Sequence, residues 1–302
     1  MSVPLVSICI PTYNYRRFLP DALESALGQT LRDIEILAVD NCSEDGTMEL
    51  LGEFARRDAR VVPYRNAANL GMTANFNRCI ELARGKYVKL LCADDVLASD
   101  CAEKLVAAME DRRDTRLAGC ARYNFREPGK PIRTLAYASG RKSVPGSAVI
   151  RECFFGGNLI GEPTAVMFRR ADAGVGFNPA YRQAFDMELW FRLLTEGRFA
   201  FLPEALCGIR EHAGSGTSDN LRSGKVTQDK VRLFAEYAQR PYLHGSLVER
   251  LRWDSRMGSS VAREAAAGSP RAGSDVLRAV YHPALFRLAT LPLARVFAAI
   301  RY

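Results

Sequence analysis

Short apolar runs alternate with amphipathic stretches along the first third of the 302-residue chain. Four runs have the length and composition of buried strands, at residues 5–10, 34–39, 60–64 and 86–93. Between them, apolar residues recur every three or four positions, which is typical of helices. This alternation predicts an α/β fold of Rossmann-like type, with a mostly parallel sheet flanked by helices.

The pattern continues less regularly after residue 97. It predicts a helix and a strand within residues 98–142, a strand at 164–170, an amphipathic helix at 185–197 and a strand or pair of strands at 199–212. Past about residue 220 the chain is Arg-rich, poor in β-forming residues and helical in pattern. We therefore predict a first domain at residues 1–220 and a helical C-terminal extension at residues 221–302.

The net charge also differs between these two parts of the chain. Residues 221–302 hold 14 Lys and Arg against 6 Asp and Glu, which accounts for the whole formal charge of +8. No run reaches the roughly 18 apolar residues of a membrane span, and the first residues lack a signal-peptide layout. The eight cysteines form no C-x-x-C pair, so we expect reduced thiols and a cytoplasmic protein.

The last 21 residues leave two interpretations open. Residues 282–302 are apolar, with Arg287, Arg295 and Arg301 on one side of a helix that Pro292 would kink. Such a segment suits the interface of an anionic membrane, which would place the protein peripherally on the cytosolic membrane face. It equally suits a helix packed on the first domain. Nucleic acid is not an expected partner, since basic and aromatic residues are not interleaved.

Polar residues follow three of the predicted strands. Pro11, Thr12, Tyr13 and Asn14 follow the first, Asp40 follows the second, and the Asp94–Asp95 pair follows the fourth. Ligands of open α/β sheets bind beyond the carboxyl ends of the strands. We therefore interpret these clusters as one site. The alternative for the aspartate pair is a helix cap with a solvated turn.

The chemistry expected at this site depends partly on the absence of two common phosphate-binding motifs. The sequence contains neither G-x-x-x-x-G-K-[ST] nor a G-x-G-x-x-G after the first strand. Phosphates would then be met by a divalent cation on carboxylates, for which Mg²⁺ and Mn²⁺ are suited. Tyr13 is a candidate for stacking on a base and Asp40 for accepting a hydrogen bond from it. Ser43 and Asp45 are interpreted as caps of the following helix.

Four motifs together resemble the family-2 glycosyltransferases, which have the GT-A nucleotide-sugar-binding fold. They are "VSICIPTYN", "ILAVDNCSEDGT", "NLGMTANFNRCIELARGKYVKLLCADD" and "FDMELWFRL", and the resemblance covers about residues 4–215. Four motifs in this order are specific, whereas any one of them would not be.

The resemblance implies roles for individual residues. Pro11, Thr12, Tyr13 and Asn14 correspond to the residues around the nucleotide, and Asp40 to the acid that binds the base. Asp94 would lie near the ribose or sugar, Asp95 would bind Mn²⁺ or Mg²⁺, and Asp186 would act as general base. Arg210 and His212, in "GIREHAGSGTS", would lie near the diphosphate and the metal.

Three positions depart from the family pattern. Asn41 stands where a second acid is common, Cys92 where an acid often begins the metal motif, and Phe185 where Glu often precedes the base. Glu188 is the alternative base, which we interpret as solvated or structural. Trp190 is interpreted as a core residue, because Leu189, Leu193 and Leu194 share its helix.

The implied function is inverting, metal-dependent transfer of a hexosyl group from a nucleoside-diphosphate sugar to a hydroxyl acceptor. UDP is the expected nucleotide because it is commonest in the family. The acceptor would be a glycan or lipid-linked sugar of surface polysaccharide or glycolipid assembly. Two alternatives remain: a non-catalytic nucleotide-sugar-binding scaffold, and a membrane-surface binding module that depends on the C-terminal extension.

Overall fold

The structure is a computed structural model that describes residues 3–137, 142–212, 229, 232–233, 236–237 and 240–243. The chain divides into two compact units. The first, here called the sheet unit, comprises Met1–Ile150, Asn158–Pro179 and Leu189–His212. The second unit comprises Arg151–Gly157, Ala180–Glu188 and the residues that follow His212.

Ten strands form one mixed sheet, all of it within the sheet unit. The strands are β1 (Val6–Thr12), β2 (Ile34–Asp40), β3 (Val61–Arg65), β4 (Tyr87–Leu90), β5 (Val96–Leu97), β6 (Thr115–Phe125), β7 (Pro131–Leu135), β8 (Ser143–Pro145), β9 (Val166–Arg169) and β10 (Arg198–Arg210). Their order is β3-β2-β1-β4-β9-β6-β10-β5, with β7 paired to β6 and β8 to β10.

The helices are α1 (Leu19–Leu27), α2 (Thr47–Arg57), α3 (Met72–Leu82), α4 (Cys101–Glu110), α5 (Gly146–Gly156) and α6 (Phe185–Leu194). Their apolar faces lie inward. In α1 the side chains of Leu19, Ala22, Leu23 and Ala26 are fully buried, at the spacing that the sequence predicted. Three-residue 3₁₀ turns occur at Pro163–Ala165, Arg170–Asp172 and Pro241–Leu243.

The two halves of the sheet differ in strand direction. Strands β3, β2, β1 and β4 are parallel, and their carboxyl ends therefore meet at one edge. Strand β9 then runs antiparallel between β4 and β6. The sheet becomes mixed at this point, and the turn that precedes β9 comes to lie beside the end of β4.

Burial explains why the first strands are so apolar. Every residue of β1, β2 and β4 is buried, since helices cover both faces of a parallel sheet. Trp190 of α6 is also fully buried, with its ring 5.9 Å from that of Phe168 and 6.0 Å from that of Phe177. The interpretation of Trp190 as a core residue is confirmed.

The predictions for the C-terminal part fall mostly outside the described residues. These include the boundary near residue 220 and the apolar segment at 282–302 with its three arginines. Within the part of the chain that the structure describes, no helix has the length and apolar character needed to cross a membrane.

Candidate nucleotide-sugar site

The first two parallel strands end side by side at the carboxyl edge. Thr12 of β1 and Asp40 of β2 are register partners. Pro11 and Thr12 are buried within β1, and Tyr13, the next residue, is 43% exposed. The hydroxyl of Thr12 is buried and has no hydrogen-bond partner among the described residues. An unpaired buried hydroxyl at a strand end is available to a ligand.

Asn14 forms hydrogen bonds within the protein, whereas the sequence suggested only that it lies around the nucleotide. Its backbone is left-handed, with φ of 54°, and its N–H donates to the Ser43 hydroxyl at 2.8 Å. Its side-chain oxygen accepts the N–H of Glu44 at 2.9 Å. Asn14 therefore joins the loop after β1 to the loop after β2.

The cap prediction for helix α2 is wrong for Ser43. The helix begins at Thr47, four residues later, and the Ser43 hydroxyl is engaged by Asn14 instead. Asp45 lies next to the helix start, where its Oδ1 accepts both the N–H of Thr47 at 3.1 Å and its hydroxyl at 2.6 Å.

Asp40 is fully buried at the end of β2. Both of its carboxylate oxygens lie 3.2 Å from the Ser43 N–H. Among the described residues its ion-pair partner is Arg65, whose Nε is 3.8 Å from Oδ2 and whose Nη2 donates to the Ser43 carbonyl at 3.0 Å. The carboxylate keeps acceptor capacity beyond these contacts.

A network of asparagines supports this edge, and the sequence did not reveal it. Asn41 Nδ2 donates to Asn69 Oδ1 at 2.8 Å, while its Oδ1 accepts from Asn66 Nδ2 and the Leu70 N–H at 3.0 Å each. Asn66 also donates to Asn75 at 2.8 Å. The amide of Asn41 donates and accepts at once, which a carboxylate at that position cannot do.

The aspartate pair lies in the turn after β4, and its two members have different environments. Asp95 is 2% exposed. Its Oδ2 accepts the Thr164 hydroxyl at 2.5 Å, and its Oδ1 accepts the Arg210 N–H at 2.9 Å. Burial and the charge of Asp94 raise the pKa of Asp95 well above the ordinary value, despite these two hydrogen bonds. Burial therefore disfavours the charged form of this carboxylate, which a bound cation would stabilise.

Asp94 lies nearer to solvent and contacts His212. Oδ2 of Asp94 is 2.9 Å from Nε2 of the imidazole. The imidazole ring in turn packs at 4.7 Å from the ring of Phe18 and 5.8 Å from that of Tyr15. His212 therefore lies beside the aspartate turn, with Asp94 as its direct partner.

Arg210 connects the end of β10 to the aspartate turn. Its guanidinium lies 5.0 Å above the ring of Phe18 and 4.5 Å above that of Phe125. Nε donates to the Asp94 carbonyl at 2.8 Å, and NH2 donates to Oδ2 of Asp21 at 2.6 Å. The side chain is only 5% exposed, so its contacts in this structure hold the turn.

Two more charged groups lie beside the turn that carries Thr164, and the sequence did not predict them. Lys89 of β4 is fully buried, and its ammonium donates to the carbonyl of Thr164. Glu162 immediately precedes the 3₁₀ turn that carries Thr164, and pairs with Arg122 of β6. The signal for Lys89 was visible as one lysine inside an apolar strand; nothing in the sequence pointed to Glu162.

Asp186 and Glu188 belong to the second unit, in the first turn of α6. Asp186 is half-buried, and its Oδ1 lies 2.7 Å from the Met187 N–H. Glu188 is 6% exposed, which favours the structural interpretation of that residue over the solvated one.

The side chains at and beside Asp95 include ligand types that bind divalent cations. The turn holds two adjacent carboxylates, and the imidazole of His212 contacts one of them, that of Asp94. Carboxylate oxygens are the ligands that Mg²⁺ and Mn²⁺ prefer. Among the described residues, no group of three or more His, Cys, Asp or Glu is arranged to hold a metal. Proteins commonly bind Mg²⁺ through one or two carboxylates while substrate phosphates supply further ligands.

Solved glycosyltransferases share this fold. The chain matches TarS of S. aureus, crystallised in complex with UDP-GlcNAc, with a TM-score of 0.65 and 17% identity over 97% of this chain and 78% of that one. It matches the mannosyltransferase PcManGT of Pyrobaculum calidifontis, in complex with GDP-Man and Mn²⁺, with a TM-score of 0.61 and 18% identity over 99% and 84%. The fold is therefore that of GT-A glycosyltransferases.

Comparison of sequences shows which family of glycosyltransferases the chain belongs to. Residues 7–175 match the family Glycosyl transferase family 2. The chain is also 30% identical over 231 residues to the putative teichuronic acid biosynthesis glycosyltransferase TuaG of Bacillus subtilis, covering 74% of this chain and 86% of TuaG. This chain belongs to glycosyl transferase family 2.

Proposed function

We propose that the protein is an inverting glycosyltransferase that moves a hexosyl group from a nucleoside-diphosphate sugar, UDP-linked, to a hydroxyl acceptor. The observation that carries this proposal is the buried carboxylate of Asp95, in the turn that ends β4 at the carboxyl edge of the parallel strands, next to the contact between Asp94 and His212. Such a carboxylate is costly unless it binds a cation. The edge is also where open α/β sheets bind their ligands.

Donor binding rests on the ends of β1 and β2. The unpaired hydroxyl of Thr12 and the buried carboxylate of Asp40 are register partners and offer polar groups to a base edge. Pro11 and Tyr13 would line the base, and Asn14 would shape the loop that holds them. Asp94 would face the ribose or sugar, with Arg210 keeping the turn in place.

A divalent cation, Mn²⁺ or Mg²⁺, would be held by Asp95 and His212 together with oxygens of the donor. When bound, it stabilises the negative charge that develops on the departing diphosphate. The support for His212 is its contact with the residue before Asp95: Nε2 lies 2.9 Å from Oδ2 of Asp94.

Asp186 is proposed as the general base. Its carboxylate would take the proton from the acceptor hydroxyl as the oxygen attacks the anomeric carbon. A single displacement with one base inverts that carbon, whereas retention would need a second nucleophilic step. The proton NMR coupling of the newly formed anomeric centre, recorded early in the reaction, distinguishes the two courses.

The acceptor is proposed to be a growing polysaccharide or glycolipid. The support is the relationship to TuaG, whose name assigns it to teichuronic acid biosynthesis. We propose that the protein acts in the cytoplasm or peripherally on the cytosolic membrane face, where residues 221–302 supply the excess positive charge.

The test combines binding and turnover. UDP, GDP, UDP-GlcNAc and GDP-mannose are titrated into the protein with and without Mn²⁺, and donor hydrolysis is followed in parallel. Asp95→Asn should abolish the Mn²⁺-dependent part of binding. Asp186→Asn should keep binding while turnover falls by about 10²–10⁴-fold.

Asp172→Asn is the matched control, since Asp172 forms an ordinary ion pair with Arg116, 3.0 Å apart, away from the carboxyl edge. Its binding and turnover should equal those of the wild type. No nucleotide binding with Mn²⁺ present would refute the proposal. Binding without hydrolysis or transfer by the wild type would favour the scaffold.

A further inference from the structure

The residues that lead into helix α6 are held by a carboxylate from far along the chain. Oδ2 of Asp229 accepts the N–H groups of Arg182, Gln183 and Ala184, at 2.6, 2.5 and 3.0 Å. Asp229 is only 4% exposed. Three donors converging on one buried oxygen leave this backbone segment little freedom.

The contact has a clear electrostatic reason. Backbone N–H groups at a helix start have no partner inside the helix and carry the positive end of its dipole. Helices usually receive an acceptor from a residue at their own N-terminus. The N–H groups of the three residues directly before helix α6, which begins at Phe185, bind the carboxylate of a residue 45 positions beyond Ala184.

A residue close to Asp229 in the sequence also contacts the backbone that precedes helix α6. Residues 229, 233 and 237 are helical and buried, at the four-residue spacing of one helix face. Arg232, on the exposed side, donates to the carbonyl of Ala180 and lies 5.6 Å above the ring of Tyr181. Residues 180–184 are therefore held at two points by the segment that contains Asp229.

We propose that Asp229 is a positioning residue for Asp186, an inference that rests on the proposed function. Asp186 follows Ala184 by two residues, in the first turn of the helix that begins directly after the segment bound by Asp229. Holding residues 182–184 sets where the first turn begins, and thereby where the carboxylate of Asp186 stands. Asp229 itself touches neither substrate nor cation.

This inference assigns a catalytic contribution to the chain beyond residue 220. The sequence predicted a catalytic domain that ends there, with a basic extension whose task was separate. A carboxylate at residue 229 that organises the base would make part of that extension necessary for turnover. A displacement of about 1 Å at a reacting group can reduce a rate by about 10²-fold.

The test compares Asp229→Ala and Asp229→Asn with the full-length wild type. We expect kcat for hydrolysis of UDP-GlcNAc or GDP-mannose, whichever the wild type turns over, to fall about 10- to 100-fold in Asp229→Ala. Asp229→Asn, which keeps an acceptor oxygen, should fall less. The Kd of the matching nucleoside diphosphate should not change. Amide exchange at residues 182–184 should accelerate in Asp229→Ala.

Two controls separate positioning from general destabilisation. Leu233→Ala removes buried apolar packing from the same segment and should lower the melting temperature without a comparable loss of kcat. The double variant Asp186→Asn with Asp229→Ala should be no slower than Asp186→Asn alone, because the two residues act through one step.

The outcomes are distinguishable. Multiplying losses in the double variant, or an unchanged kcat in Asp229→Ala, would overturn the positioning role while leaving the proposed function intact. A wild-type protein that binds no nucleoside diphosphate would overturn the proposed function, and the role of Asp229 with it.

Discussion

The hydroxyl of Thr164 donates a 2.5 Å hydrogen bond to Oδ2 of Asp95, a residue 69 positions earlier in the chain. The same hydroxyl accepts the N–H of Cys92 at 3.0 Å, and the Thr164 carbonyl accepts the ammonium of Lys89. One fully buried residue therefore binds three groups of the fourth strand and its turn. The orientation of the candidate metal ligand depends on a turn that comes much later in the sequence.

Thr164→Val should weaken Mn²⁺-dependent binding of the donor nucleotide. Valine keeps the volume but offers no hydrogen bond to the Asp95 carboxylate, and bonds to charged groups contribute about 1.5–3 kcal/mol. We expect an affinity loss of about tenfold or more, measured by isothermal titration calorimetry with Mn²⁺ and UDP. Thr164→Ser, which keeps the hydroxyl, is the control. Equal affinities for the valine and serine variants would contradict this role.

Asp95 should make the stability of the metal-free protein depend on pH. Burial and the charge of Asp94 raise the pKa of Asp95 in the folded state above that in the unfolded chain. The native state therefore holds the proton more tightly. The contribution of Asp95 to the free energy of unfolding falls as the pH rises from about 3.9, the pKa in the unfolded chain, to the raised pKa of the folded state. Above that pH the contribution is constant.

Asp95→Asn isolates this effect because it removes the charge and keeps the shape. The variant should be more stable than the wild type at neutral pH in EDTA, and the difference should shrink toward pH 4. Urea unfolding at a series of pH values measures it. A wild type that is as stable as the variant at pH 7 would show that other groups of the protein compensate the charge.

Arg210→Lys should destabilise the protein although it preserves the charge. The guanidinium lies above the rings of Phe18 and Phe125 and binds the Asp94 carbonyl and Asp21 together, a geometry that the ammonium of lysine does not reproduce. We expect a loss of about 1–3 kcal/mol in the free energy of unfolding.

Arg57→Lys is the comparison for this change. Arg57 pairs with Glu24 on the same helix as Asp21, but both side chains are more than half exposed. Exposed ion pairs contribute little, so this variant should unfold like the wild type. Arg57 also lies above one ring, that of Phe54, so similar behaviour of the two lysine variants would mean that the burial of Arg210 has no energetic consequence.

Asn41→Asp should be destabilising, even though the family commonly has an acid at this position. A carboxylate oxygen would replace the Nδ2 that now donates to Asn69 Oδ1 at 2.8 Å. Asn69 cannot turn its amide over without losing the bond that its Oδ1 accepts from the Gly71 N–H. We expect a loss of about 1–3 kcal/mol, measured by urea unfolding. Unchanged stability would show that the loop at residues 66–71 rearranges freely.

The interpretation from sequence succeeded where the signal was local. The strand and helix pattern up to α3 follows from side-chain periodicity, and the place of Asp94 and Asp95 after β4 follows from the end of an apolar run. The burial of Trp190 was evident from the apolar residues on its own helix. The cap assignment to Ser43 was wrong because its hydroxyl accepts the N–H of Asn14, a hydrogen bond between the loops that follow β1 and β2.

By itself, the sequence determined the fold class, the family and the strand ends at which polar groups meet. These depend on residue types and on spacing over a few positions. Only the tertiary structure decided the partners of those groups: Thr164 for Asp95, Asn69 for Asn41, and Asp229 for the residues before Asp186. The physical reason is that a buried polar group must be satisfied by whatever the packed chain brings within hydrogen-bond distance, and packing joins residues that no local pattern relates.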